Sequence, residues 1–299
     1  MLHRLAITAT TLATLLYAGS AVAQDKLKVT ATFSILADLV KNVGGDRVEV
    51  AAIVGPNGDA HVYAPAPADA KRLAESKLVI ANGLGFEGWI SRLVKASGTK
   101  AAHVVASRGV KPRKAAGDHD HGHAEGDPHA WQSVANVKIY VGNIRDALIA
   151  ADPAGKTAYA ANASAYLGKL DVLDREVRAE VARIPADRRR IITNHDAFGY
   201  FKDAYGLDFI APQGVSTESE VSARDVARII AQIKKQKIRA VFMENVSDPR
   251  LLKRIADETG AKIGGTLYSD ALTEEKGDAP TYIDMVRHNV RTLAAALMS

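Results

Sequence analysis

The strongest constraint on this chain is an alternation of short apolar runs with stretches of helical period, broken once by a single long helical stretch. Strand-like segments at 27–32, 48–54, 78–81 and 101–105 alternate with helix-like segments at 34–43, 68–75 and 86–96. Strands connected through helices return to the same end of a sheet, so the pattern predicts parallel pairing with helices on the faces. Residues 108–128 carry Gly, Pro, Asp and His without apolar periodicity and read as a loop, and 133–151 reads as a helix ending near Asp152-Pro153. Residues 155–184 then hold apolar or small positions at helical spacing up to Pro185. That is roughly 28 residues, or about 42 Å at 1.5 Å per residue, longer than an ordinary globular helix.

Beyond it the alternation resumes, with strands at 190–194, 207–210, 240–243 and 261–267 and helices at 197–204, 223–235, 250–259 and from 281 onward. Asp248-Pro249 is a good start for a helix and Gly260 a good stop. The expected fold class is α/β, with two lobes of mostly parallel sheet joined by one long backbone helix. In residue numbers these are an N-terminal α/β lobe at 24–153, a linking helix at 154–185 and a C-terminal α/β lobe at 186–299.

The first 23 residues stand apart. Arg4 supplies a short positive start, the run from Leu5 to Tyr17 is apolar or small, and Ala21-Val22-Ala23 forms a cleavage site before Gln24. The apolar run is shorter than the roughly 20 residues that span a bilayer, so residues 1–23 read as a signal peptide. The sequence contains no cysteine. Disulfides, cysteine nucleophiles and thiolate-held metals are thereby excluded, as is the cysteine that bears the acyl chain of a bacterial lipoprotein. The expected location is free in the periplasm, as a monomer. A net charge of +5 without a basic stripe gives no case for nucleic acid, and Arg188-Arg189-Arg190 reads as the solvated start of a strand.

Metal chemistry must therefore come from His, Asp and Glu. Of nine histidines, His3 leaves with the signal peptide, while His103 and His288 sit in a strand and a helix and read as structural. His61 and His195 each follow a strand, and C-terminal strand ends face the ligand crevice in parallel sheets. His129 sits at a loop-to-helix junction. Three imidazoles so placed, without thiols, suit a borderline cation such as Zn²⁺.

Five stretches occur in a telling order: Gly58-Asp59-Ala60-His61-Val62-Tyr63-Ala64-Pro65, Ala81-Asn82-Gly83-Leu84-Gly85-Phe86-Glu87-Gly88-Trp89, Asp127-Pro128-His129-Ala130-Trp131, Asn194-His195-Asp196-Ala197-Phe198-Gly199-Tyr200-Phe201 and Leu267-Tyr268-Ser269-Asp270-Ala271-Leu272. Together they resemble the zinc/manganese substrate-binding proteins of bacterial metal ABC transporters, over nearly the whole chain after the signal peptide. The resemblance implies one metal in a cleft between two lobes, with His61, His129, His195 and Asp270 as ligands. It also implies delivery to a membrane permease, with a periplasmic metallochaperone as a further candidate partner. Asp270 has rivals in Asp278 and Asp284, and could instead cap the turn at Ala271-Leu272-Thr273. Asp59, Asn194 and Asp196, beside the ligands, are candidates for fixing imidazole tautomers.

This sequence departs from the family pattern twice. Trp131 is followed by Gln132-Ser133-Val134 where the family often has Leu-Asp-Pro, and the histidine-rich loop at 117–126 is short. Within that loop His119, His121 and His123 are candidates for weak auxiliary zinc binding. In manganese-binding members the third ligand resembles a carboxylate, whereas here it is His195. An N₃O set favours Zn²⁺, with Mn²⁺ as the alternative. A zinc hydrolase would need an open coordination position and a base, and no H-E-x-x-H pair is present. An adhesin, as some relatives have been described, finds no repeat or stalk to support it.

Overall fold

The computed structural model describes residues 25–114, 126–218 and 221–299. Residues 1–23, expected to be a signal peptide, and His119, His121 and His123 lie outside the described residues. No helix among the described residues is long and apolar enough to cross a membrane.

In the first half, strands β1 (Leu27–Phe33), β2 (Val48–Val54), β3 (Leu78–Ala81) and β4 (Ala102–Val105) pair in parallel in the order β2-β1-β3-β4. β1 and β3 are central and their residues are buried over most of their length, which is why they read as apolar runs rather than alternations. Helices α1 (Ser34–Gly44), α2 (Pro67–Glu75), α3 (Ile90–Ser97) and α4 (Val134–Ala151) flank the sheet. The expected helix at 86–96 starts only at Ile90. Glu87 turns inward instead, where its carboxylate accepts the backbone N–H groups of Asn82 and Gly83 and the Thr32 hydroxyl.

Helix α5 (Lys156–Ala182) has 27 residues, about 40 Å at 1.5 Å per residue. Tyr159, Ala163, Tyr166, Leu170, Leu173, Val177 and Val181 form its buried stripe, with the three- and four-residue steps of a helix packed along its whole length. The arginine triplet behind it does more than start a strand. Arg189 donates to the carbonyls of Val181 and Ile184 at the end of α5, and Arg188 donates to those of Leu297 and Met298. Two of the three guanidiniums thus serve helix C-termini, where the dipole favours positive charge.

In the second half, β5 (Arg190–Ile192), β6 (Asp208–Ile210), β7 (Ala240–Glu244) and β8 (Lys262–Leu267) pair in parallel in the order β6-β5-β7-β8, the same order as in the first sheet. Helices α6 (Gly199–Tyr205), α7 (Ala223–Gln236), α8 (Pro249–Thr259) and α9 (Tyr282–Met298) complete it. As expected, Asp248 caps α8 through the N–H of Arg250, and Gly260 closes it at φ +72. The β7/β8 register shifts at Val241/Phe242, where Gly265 takes φ +136, a backbone conformation that L side chains rarely adopt.

One continuous apolar core runs from the first sheet through α1, α4, α5 and α9 into the second half. A separate, smaller core of Ile192, Ile229, Ile233, Val241, Leu252, Ile255 and neighbours lies under α7 and α8.

Candidate metal centre

Each candidate ligand sits just past the C-terminal end of a strand or at a helix start, and each is held by a different device. After β2, Asn57 adopts φ +55 and turns the chain, and the Asp59 carboxylate accepts the backbone N–H of His61 at 2.9 Å. Trp89 Nε1 holds the adjacent Ala60 carbonyl at 2.8 Å, and the His61 ring meets the Phe86 ring edge-on at 4.6 Å.

His129 follows Asp127-Pro128 into a 3₁₀ turn at Ala130–Gln132, with α4 beginning after Ser133. Asp127 Oδ1 contacts both the backbone nitrogen of His129 at 3.0 Å and its Nδ1 at 2.8 Å, while Arg113 neutralises Oδ2 at 3.2 Å. With Nδ1 donating to a carboxylate, the lone pair of the neutral ring lies on Nε2.

His195 lies past β5, which ends at Ile192 rather than at the expected 194. The reason is Glu244, at the end of β7, whose Oε1 accepts the N–H groups of Asn194 at 2.8 Å and His195 at 3.0 Å in place of a strand neighbour. Asn194 Oδ1 accepts the Glu244 N–H in return, at 3.0 Å. The other Glu244 oxygen approaches His195 Nδ1 at 2.6 Å. Asp270, after β8, is held through its neighbour: Trp131 Nε1 and Gln132 Nε2 both donate to the Ser269 carbonyl, at 2.9 and 2.7 Å. The departure from the family pattern at Gln132 therefore supplies a strut to the loop that carries Asp270.

The free ends of these side chains converge. One ligand atom each from His61, His129, His195 and Asp270 lies within 4.8 Å of all the others. His61 Nε2 is 3.2 Å from His129 Nε2, and Asp270 Oδ2 is 3.4 and 3.1 Å from the Nε2 atoms of His61 and His195. A tetrahedron with metal–ligand bonds of about 2.0–2.1 Å has edges of about 3.3 Å, close to these separations. His129, His195 and Asp270 are fully buried, yet both Asp270 oxygens and the Nε2 of His195, the ring nitrogen that faces away from Glu244, lack a well-aligned hydrogen-bond partner. Buried polar atoms left in this state point to a ligand that satisfies them.

Electrostatics separates the two ends of the site. Burial, together with the neighbouring imidazoles, lowers the pKa of His61 despite the pull of Asp270. Burial also opposes the imidazolium at His195, but Glu244 and Asp270 outweigh it and raise that pKa well above the ordinary value. Burial of Asp270 is likewise overcome by His195 and His129, which hold its carboxyl well below the usual range.

The structure thus brings together all four residues named from the resemblance. Asp284 instead faces Thr281 at the start of α9. The partners of the ligand rings are Asp127 and Glu244. Asp59 supports the His61 backbone, and Asn194 supports Glu244. Glu244 had a signal in the sequence: a glutamate ending an otherwise apolar buried strand, Ala-Val-Phe-Met-Glu, needs a polar partner inside the protein.

Comparison with known proteins agrees with this geometry. A family model described as zinc-uptake complex component A, periplasmic, matches residues 29–296. The iron-binding protein YfeA of Yersinia pestis is 35% identical over 269 residues, covering 90% of this chain and 86% of its own. The manganese ABC transporter substrate-binding lipoprotein PsaA of Streptococcus anginosus is 33% identical over 279 residues, covering 91% and 90%. Among solved structures, the periplasmic zinc binding protein TroA from Treponema pallidum superposes with a TM-score of 0.85 at 32% identity, over 91% of this chain and 99% of its own. With its two parallel sheets, long helix and buried three-histidine, one-aspartate cluster, the chain belongs to the zinc-uptake component A family, the metal-binding substrate-binding proteins of ABC transporters rather than enzymes.

Proposed function

We propose that this protein captures one Zn²⁺ ion in the periplasm, through His61, His129, His195 and Asp270, and delivers it to the permease of an ABC importer. The observation that carries the reading is the convergence of three imidazoles and one carboxylate in a buried cluster without thiols. Three nitrogens and one oxygen suit Zn²⁺, whereas Mn²⁺ is better served by oxygen-rich sites. The cleavage site at Ala21-Val22-Ala23 and a sequence without cysteine support a soluble, processed form, which we assign as a monomer. A soluble metallochaperone is a further candidate donor of the ion.

Manganese is the second reading, favoured by the names of relatives such as PsaA. Metal analysis of protein purified without added metal, followed by matched thermal shifts in chelator-stripped buffer, separates the two. A ligand at about 100 times its dissociation constant stabilises the fold by about 2.7 kcal/mol. Zinc is expected in the purified protein and should give the larger shift. A larger shift with Mn²⁺ would overturn the zinc assignment, and absence of a shift with either ion would overturn metal capture.

A further inference from the structure

The two halves are joined near the four-residue cluster by side chains outside it. His61 is the one candidate ligand that is not fully buried, and it lines a cavity of about 720 Å³ together with Tyr63, Trp89, Arg92 and Glu218. Of the four candidate ligands, His61 is the one that lines this cavity. Next to Glu218 of this cavity's wall, the segment 213–217, which follows β6 in the second half, reaches across to the first half. It starts at a bridge between His195 and Gln213, Gln213 Nε2 donates to the Thr217 carbonyl at 2.8 Å, and the Thr217 hydroxyl donates to Asp59 Oδ2 at 2.7 Å. The other oxygen of Asp59 holds the His61 backbone N–H at 2.9 Å. A continuous path of bonded groups thus runs from His195 to the His61 loop, with 158 positions between Asp59 and Thr217 in sequence.

We propose that Thr217 is a positioning residue for metal capture: by closing onto Asp59 it fixes the His61 loop only when the two halves are together, and so sets how fast the ion leaves. The inference rests on the metal-capture reading for its consequence, but the latch itself is made of protein groups alone. A hydroxyl bound to a carboxylate is stronger than a neutral pair, and its loss leaves the carboxylate one partner short in a half-buried place.

The test uses Thr217→Val, which keeps the side-chain shape and removes the hydroxyl, and Thr217→Ser, which keeps the hydroxyl. In the metal-free protein, hydrogen exchange of the His61 amide should quicken about tenfold in the valine variant and stay at the parent rate in the serine variant. Stopped-flow transfer of Zn²⁺ to a chelator should quicken by a similar factor, with the melting temperature of the metal-free protein little changed. In an Asp59→Ala background the valine substitution should add nothing, because the acceptor is already gone. Unchanged His61 exchange in Thr217→Val, or the same increment with and without Asp59, would overturn the latch. Altered exchange in a chain that binds neither Zn²⁺ nor Mn²⁺ would leave the latch standing and overturn the metal-capture reading instead.

Discussion

The two halves share one strand order but not one way of being held together. Around β2-β1-β3-β4, helices on both faces feed a single core that continues through α5 and α9. Around β6-β5-β7-β8, one face joins that common core while the other is closed by α7 and α8 over a separate, smaller cluster. The site repeats the asymmetry. His61 and His129 stand on the first half, and the Asp270 loop, although it follows β8, is fastened there too, by Trp131 and Gln132 and by a Leu272 N–H donated to Ser34 at 3.0 Å and a Leu272 carbonyl bound to Asn57 at 2.8 Å. His195 instead takes its ring partner, Glu244, from the second sheet. Three of the four ligands are thus fixed to one half, so a site divided evenly between lobes in sequence is divided three to one in space.

The largest effect that could break this picture is loss of a ligand. Four ligands sharing a zinc binding free energy of roughly 10–16 kcal/mol are each worth about 2.5–4 kcal/mol, or roughly a hundredfold to a thousandfold in affinity. His129→Ala and Asp270→Ala, which damage the three-ligand side, should both lose at least that much by competition titration. His195→Ala should leave a weaker but measurable 1:1 complex. If His195→Ala abolishes binding while Asp270→Ala retains it, the three-to-one division is wrong.

Next come the two cores. Leu170 in α5 and Leu252 in α8 are both fully buried, one in each core. Either Leu→Ala change should cost about 2–5 kcal/mol where it acts. For Leu170 that loss should appear in global unfolding by denaturant. For Leu252 it should appear chiefly as faster hydrogen exchange in α7 and α8, with zinc affinity nearly unchanged. Equal global destabilisation by both, with no local exchange difference, would mean that the small core is not a separate unit.

Much of this was legible in the sequence, for identifiable reasons. Strands such as β3, apolar throughout, and helices such as α8, with Asp248-Pro249 before and Gly260 after, carry their own local signals. The four residues that converge in the cluster were legible through their motifs. What the sequence hid were interactions made across long separations: Glu244 holding the backbone of Asn194 and His195, Gln132 holding Ser269, and Thr217 reaching Asp59. The equal strand order of the halves was hidden as well, because topology is preserved by burial pattern without any repeated residues.

A smaller effect tests whether Glu244 does for His195 what Asp127 does for His129. Replacing such a carboxylate typically costs 10–100-fold in metal affinity. Asp127→Asn leaves Arg113 facing a neutral amide, so it should lower stability as well as affinity. Glu244→Gln keeps an oxygen for the two backbone N–H groups and should lower affinity with little change in the melting temperature of the metal-free protein. Parent affinity in Glu244→Gln would remove the carboxylate charge from the account of the site.

The smallest expected effect is the pH dependence, and it too separates the two sides. In the metal-free site His61 is held below the usual imidazole range by burial, so it stays neutral near pH 7. His195 is held well above that range, burial notwithstanding, by Glu244 and Asp270, so it keeps a proton that an incoming ion must displace. Affinity should therefore rise with pH through neutrality by about tenfold per pH unit, the slope of one displaced proton, rather than levelling off once pH passes the ordinary imidazole value of about 6.5. Stability of the metal-free fold should run the other way. A His with a raised folded pKa contributes stability that is fully present below the unfolded value near 6.5 and is lost as pH climbs through the folded value. The melting shift on zinc loading should accordingly widen between about pH 6.5 and 8, above the range in which His61, with its lowered pKa, acts in the opposite sense, and His195→Ala should flatten both trends. Titrations in buffers of different ionisation enthalpy count the released proton directly, and a count of zero at pH 7 would show that His195 is neutral before the metal arrives.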